Sequence, residues 1–143
     1  MVGHEFIIDL NEFKEYGISE KDIAKRLIDY SFHPPTMSWP LTGTIMIEPT
    51  ESEDLDELDR FIDAMISIKE EINEIKNGEA SKDDNVLKNS PHSIDELENW
   101  IYPYSIQKAV YPVESLRKNK HWASHGRIDD AYGDKNLLVK RFD

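Results

Sequence analysis

The sequence predicts an α+β domain, in which a short antiparallel or mixed sheet carries helices on one face and an irregular C-terminal arm closes the fold. Three observations predict it: short β-rich apolar runs, one long apolar stripe with helical spacing, and a polar, loop-rich second half. The length of 143 residues fits one domain. We expect a sheet-and-helix core at residues 1–78 and an arm with short helices at residues 79–143.

The first elements are a strand and a helix. The apolar run from Phe6 to Leu10 predicts the strand. Ser19 is placed as an N-cap three residues before Asp22, so the helix should begin near residue 20 and end by about Phe32, before Pro34. The spacing of its apolar residues predicts a buried face formed by Ile23, Leu27 and Tyr30. The exposed face is predicted to carry Lys21, Lys25 and Arg26.

Two short strands should follow. The run from Thr36 to Trp39 and the run from Thr44 to Glu48 are separated by a turn that contains Pro40 and Gly43. The continuous apolar centre of the second run suits a strand that is buried on at least one face. We therefore expect a hairpin.

A long amphipathic helix is predicted at residues 53–77. Acidic residues crowd its N-terminus, where the helix dipole favours anions, and Gly78 follows its C-terminus. The apolar stripe is too wide for a two-stranded coiled coil, which favours packing on the sheet. The stripe comprises Leu58, Phe61, Met65, Ile68, Ile72 and Ile75, widened by Leu55, Ile62 and Ile66.

The second half is predicted to be mostly irregular. The polar stretch at residues 79–92 reads as a solvated loop, and residues 120–143 show little periodicity. Short helices are expected between them, at Asp95 to Trp100, Tyr104 to Val110 and Val113 to Asn119.

Composition excludes several classes of function. There are 29 acidic and 17 basic residues, and the net charge of -12 argues against nucleic-acid binding, which requires clustered cations. No apolar run is long enough to cross a membrane, and the N-terminus lacks the features of a signal peptide, so neither secretion nor membrane insertion is expected. The absence of cysteine excludes disulfides, thiolate zinc sites and a cysteine nucleophile.

Few residue patterns point to chemistry. His121 and His125 have a helical spacing that could serve a metal, but the glutamate of a zinc-hydrolase motif is missing, so we expect no metal site. The acidic cluster between Glu48 and Glu57 is explained by its place at a helix N-terminus. The rigid segment from His33 to Pro40 could form a pocket wall or simply fill the core, and the residues alone favour neither.

Two strings carry a family resemblance. His33 to Pro40 reads His-Pro-Pro-Thr-Met-Ser-Trp-Pro, and Gly43 to Glu53 reads Gly-Thr-Ile-Met-Ile-Glu-Pro-Thr-Glu-Ser-Glu. In these strings the sequence resembles the C-terminal domain of glycine dehydrogenase (decarboxylating), the P-protein of the glycine cleavage system. Shorter matches in the family's order extend along nearly the whole chain, among them Gly126 to Asp129 and Tyr132 to Asp134.

The resemblance implies the small domain of a fold-type I pyridoxal phosphate enzyme. That enzyme decarboxylates glycine and transfers the aminomethyl group to the lipoyl arm of H-protein. The family's catalytic lysine lies upstream in a large domain, so this chain alone is expected to bind no cofactor and to be inactive. The implied partners are that large domain, lipoylated H-protein, glycine and further copies in a homo-oligomer, in the bacterial cytoplasm or the mitochondrial matrix.

The resemblance also implies a set of residues near the active site, with no catalytic group in this chain: His33, Thr36, Met37, Ser38, Thr50 and Glu51. Arg127, Asp129 and Asp134 are expected to anchor the arm. The sequence departs from the family at residues 120–125, and Leu138 to Arg141 stand where many members have cysteines, so redox gating is not carried over. A free-standing ferredoxin-like binding module and a dimerisation domain remain the alternatives.

Overall fold

The computed structural model of the chain describes residues 3–137. Within this range β1 (Phe6–Asp9), β2 (Thr36–Met37) and β3 (Thr44–Ile47) form an antiparallel sheet with the strand order β1-β3-β2. β1 pairs with β3 so that Ile8 lies opposite Ile45, and β2 pairs with the other edge of β3. The α+β class and the hairpin are confirmed. A ferredoxin-like fold has four strands, whereas residues 3–137 form three.

The described residues also form five α-helices and three 3₁₀ segments. None of these helices combines the length and the apolar character that a membrane span requires. The 3₁₀ segments are Asn11–Tyr16, Ile94–Asn99 and Glu114–Arg117. The α-helices are α1 (Glu20–Asp29), α2 (Leu55–Lys76), α3 (Val86–Asn89), α4 (Ile106–Val110) and α5 (Asp130–Lys135).

The start of α1 follows the sequence prediction. The backbone N–H of Ser19 donates to Asp22 Oδ2 over 2.9 Å, and the backbone N–H of Asp22 donates to Ser19 Oγ over 3.4 Å. This capping box satisfies N–H groups that the first helical turn leaves without intrahelical partners. The predicted inner face is confirmed, because Ile23, Leu27 and Tyr30 are all buried.

The prediction that Arg26 is exposed was wrong, because its side chain is 0% exposed. Its Nε and Nη2 donate to the two carboxylate oxygens of Glu71 over 3.0 and 2.7 Å. Its Nη1 donates to Asp29 Oδ2 over 2.9 Å and to the carbonyl of Ala109 over 2.6 Å, and Nη2 also reaches the carbonyl of Lys108. One guanidinium thus joins α1 to α2 and α4.

Helix α2 has nearly the predicted bounds, but its buried stripe is narrower than predicted. Asp54 caps the helix by accepting a 2.8 Å hydrogen bond from the backbone N–H of Glu57. Ile68, Ile72 and Ile75 are buried, and Leu58, Phe61 and Met65 are half-buried. The widening residues Leu55, Ile62 and Ile66 remain exposed. A second apolar surface is therefore left uncovered by the residues that the structure describes.

The prediction of a solvated loop at residues 79–92 was also wrong in its second half. Asn85 caps α3 by accepting hydrogen bonds of 3.0 Å from the backbone N–H groups of Leu87 and Lys88. Leu87 and His92 are fully buried, and His92 Nδ1 lies 2.8 Å from Asp29 Oδ2. The segment is ordered by these long-range contacts rather than by a periodic apolar pattern.

The C-terminal arm is anchored on α1. Arg127 Nη2 donates to Asp22 Oδ1 over 2.7 Å, and Lys88 Nζ donates to the other oxygen of the same carboxylate over 2.9 Å. Asp129 caps α5, whereas Asp134 is exposed. The structural role of Arg127 is confirmed. The expected departure at Leu138 to Arg141 lies outside the described residues.

Replacing Arg26 should destabilise the fold strongly. Arg26→Met removes the cation and leaves the buried carboxylates of Glu71 and Asp29 without their charge partner, a change that typically costs about 3–5 kcal/mol. Urea unfolding measures the difference in free energy. The matched control is Arg117→Met, which removes an exposed pair with Glu114 and should cost about 1 kcal/mol or less. Equal losses in the two variants would contradict the role given to Arg26.

The anchor at Asp22 predicts a pH dependence. Burial raises the pKa of Asp22, but hydrogen bonds from Ser19, Lys88 and Arg127 outweigh burial and hold the pKa below its ordinary value of 3.8. A folded-state pKa below the unfolded one means that this carboxylate stabilises the fold at neutral pH. That contribution is lost as the pH falls below about 5 and through the folded pKa.

Asp22→Asn should therefore be less stable than the parent at pH 7 and should lose less stability between about pH 5 and pH 2. Urea midpoints measured across this range test the prediction. Asp134→Asn, at an exposed aspartate, serves as the control. A difference between parent and Asp22→Asn that stays constant with pH would contradict it.

Candidate functional site

A cleft of about 720 Å³ opens beside the hairpin, and we call it the proline cleft. One wall is the segment 31–36, which contains Pro34 and Pro35, and a second wall is the segment 46–49. The first turns of α2 close the third side with Leu58, Phe61 and Ile62. The lining is largely apolar, and the carboxylates at its rim are Glu48, Glu53 and Glu57.

The structure brings two of the predicted site residues into this cleft. His33 and Thr36 line it, and both are exposed. Thr50 and Glu51 are exposed and follow directly after Pro49, which also lines the cleft.

The other two predicted residues, Met37 and Ser38, are not among the lining residues. They continue the chain from Thr36 into the hairpin turn, so they stand beside the cleft rather than in it.

The cleft wall that contains the prolines is bounded by two serines with left-handed backbones. Ser31 has φ 65° and Ser38 has φ 53°, a region that costs an ordinary residue about 1–2 kcal/mol. Ser31 Oγ accepts a 2.9 Å hydrogen bond from the backbone N–H of His121 in the arm. Such conformations persist only when the surroundings impose them. The wall is therefore held at both ends.

The turn after Ser38 is fixed by hydrogen bonds from two sides. Ser38 Oγ donates to Glu20 Oε1 over 2.6 Å, a bond that lowers the pKa of Glu20, and it accepts from the backbone N–H of Gly43 over 3.2 Å. Gly43 has φ 82°, and a Cβ there would lie 2.1 Å from Asn11 Oδ1, so only glycine fits. Asn11 Nδ2 also donates to the carbonyl of Thr42 over 3.1 Å.

Arg60 sets the position of the cleft against the rest of the domain, a role that the sequence analysis missed. It donates to both carboxylate oxygens of Glu57 over 2.7 and 2.5 Å, which lowers the pKa of Glu57. It also donates to the carbonyl of Tyr30 over 2.9 Å, and its guanidinium lies 3.8 Å from the ring centre of Phe32. The signal in the sequence was the spacing of Glu57 and Arg60, which places them on one helix face.

The cleft does not suit an anionic cofactor by itself. Pyridoxal phosphate needs a lysine for its aldehyde and donors for its phosphate, yet none of the lysines described here lines the cleft, and its rim carries carboxylates. Burial lowers the pKa of Lys120 to about 8, but its Nζ donates to the backbone carbonyl of Asp29 over 2.5 Å and lies outside this lining.

His121 and His125 are exposed, and within residues 3–137 no three potential ligands are grouped to hold a metal.

The segment that builds the cleft lies inside a recognised family region. Residues 1–92 match the family model described as glycine dehydrogenase, C-terminal domain. The chain belongs to the glycine dehydrogenase family. The family resemblance carried by the segments His33 to Pro40 and Gly43 to Glu53 is thereby confirmed.

Individual glycine dehydrogenases match almost the whole chain. The glycine dehydrogenase (decarboxylating) of Bacteroides thetaiotaomicron is 54% identical over 99% of this chain, and that of Bordetella avium is 55% identical over 96%. A relative from Schizosaccharomyces pombe, whose name assigns it to mitochondria, is 56% identical over 96%. The chain spans 15% of the length of the two bacterial relatives, so it corresponds to a small part of a glycine dehydrogenase.

Proposed function

We propose that this chain acts as the C-terminal part of a pyridoxal phosphate-dependent glycine dehydrogenase. The complete enzyme would decarboxylate glycine and transfer the aminomethyl group to the lipoyl arm of H-protein. The observation that carries the proposal is the identity of 54–55% to glycine dehydrogenases over 96–99% of the chain. When bound, pyridoxal phosphate supplies the electron sink for decarboxylation. We place it, with its lysine, in the remainder of the enzyme, which has the fold-type I architecture.

The role proposed for this chain is to form one wall of the active-site channel. His33 and Thr36 present an imidazole and a hydroxyl to the proline cleft, and Met37, Ser38, Thr50 and Glu51 stand beside it. The hydrogen bonds that fix the cleft wall and the turn after Ser38 limit the cost of ordering these groups when substrate binds. The carboxylates at the rim disfavour a phosphate, which supports a place for the cofactor elsewhere in the enzyme.

The remaining assignments follow from the same proposal. The isolated chain would neither bind the cofactor tightly nor decarboxylate glycine. Its partners would be the cofactor-bearing large domain, lipoylated H-protein and further subunits of a homo-oligomer. The enzyme would work in the bacterial cytoplasm or, in a eukaryote, in the mitochondrial matrix.

Substitutions at the cleft should impair the complete enzyme. His33→Ala and Ser38→Ala remove a polar group from the channel wall or from its support, and each should lower glycine-dependent CO₂ exchange about tenfold or raise the Michaelis constant for glycine to a similar degree. The exchange of labelled CO₂ into glycine measures both effects.

The matched controls are His125→Ala and Ser124→Ala, because both residues are exposed in the arm and neither lines the cleft. They should leave both kinetic constants within about twofold of the parent, as surface substitutions away from a site usually do. If His33→Ala and Ser38→Ala behave like these controls, the residues do not form the channel wall.

A further inference from the structure

A second groove, of about 410 Å³, runs between β1 and α2, and we call it the β1–α2 groove. It shares Phe6, Phe61 and Ile62 with the proline cleft. The two depressions therefore form one continuous surface, and its exposed lining is predominantly apolar. The groove is not needed to explain the proposed roles of His33 and Ser38.

The apolar side chains along this surface are exposed as a group. On α2, Ile62 and Ile66 line the groove and are 52% and 53% exposed. Leu55, which is 77% exposed, is outside both linings, but its spacing places it on the same side of the helix. Single exposed apolar residues are ordinary, but contiguous apolar patches on a soluble protein mark surfaces that bind something. The surface extends onto β1 through Phe6, which is 38% exposed and lines both depressions.

β1 has the residue pattern of a strand that is covered on both sides. Successive side chains of a strand point to opposite faces, so Phe6 and Ile7 lie on different faces of the sheet. Strands that are apolar on both faces are typical of sheets covered on both sides. Among the described residues β1 pairs with β3 alone, and neither Phe6 nor Ile7 is fully covered. The pattern therefore predicts a covering surface that residues 3–137 do not supply.

We propose that the β1–α2 groove is the surface on which the cofactor-bearing remainder of glycine dehydrogenase docks. The inference rests on the proposed function. The chain spans only 15% of the length of its bacterial relatives, so most of the enzyme is available to cover the groove. Because the groove continues into the proline cleft, docking there places the remainder of the enzyme over His33 and Thr36.

The charge of the domain indicates which residues the partner should present to the groove. Glu48, Glu53 and Glu57 rim the continuous depression, and the whole chain carries a net charge of -12. A second copy of this chain would bring the same acidic rim and the same charge, which opposes self-docking. The partner surface should therefore be apolar at its centre and rich in lysine or arginine at its edge.

The test is co-expression of the tagged chain with the cofactor-bearing remainder of a glycine dehydrogenase, followed by co-purification. Ile62→Glu combined with Ile66→Glu places two charges in the groove and should reduce the recovered remainder at least about tenfold. The matched control is Ile94→Glu combined with Ile101→Glu, since these isoleucines are 54% and 84% exposed and line neither depression. The control should retain the parent level of complex.

Circular dichroism and thermal unfolding establish that each variant is folded. Ile66→Glu alone, at an exposed residue that lines the groove, provides a second variant should the double substitution disturb the helix. It should weaken the complex in the same direction.

Three outcomes distinguish the proposed docking surface from the proposed function. Loss of the complex only in the groove variants supports the docking surface. Parent-level complex in the groove variants overturns the docking surface and leaves the proposed function standing. Failure of the unsubstituted chain to bind the remainder overturns both.

Discussion

The fold depends on one buried cation. All five N–H donors of the Arg26 guanidinium have acceptors on Glu71, on Asp29 or on two backbone carbonyls of α4. Burial opposes the charge, but Glu71 and Asp29 outweigh burial and raise the pKa of Arg26 above its usual value, so it stays charged. Because its donors point in fixed directions, Arg26 sets how α1, α2 and α4 meet.

The candidate site takes its position from that junction. The N-terminal end of α1 supplies Glu20, which holds the Ser38 hydroxyl, and the residue after its C-terminal end, Tyr30, offers a carbonyl to Arg60 on α2. The proline cleft lies between these two attachments, and the arm adds a third through His121 and Ser31. The segment that bears the family strings is thus a rigid wall that presents polar groups to whatever covers it.

Local signals in the sequence were sufficient for the regular elements, and contacts between distant residues were not. The cap at Ser19 and the stripe of α2 depend on neighbours within a few residues, so both were predictable. Arg26 was wrongly predicted to be exposed because its partner Glu71 lies 45 residues away in the sequence. The burial of His92 depends in the same way on Asp29.

Ile62 and Ile66 are apolar yet exposed, which is consistent with a cover supplied by the rest of the enzyme. The residues of the cleft were predicted only through the family resemblance. The sequence of the segment from His33 to Pro40 suited a pocket wall and a part of the core equally well.

We propose that this chain completes an active site whose cofactor is held elsewhere in the enzyme. The most direct measurement is glycine-dependent exchange of labelled CO₂ by the chain alone, by the cofactor-bearing remainder alone and by the two produced together. We expect exchange at the level of the complete enzyme only when both are present. Exchange by the chain alone would show that the cofactor site lies in this chain, and full exchange by the remainder without it would show that the chain does not complete the active site.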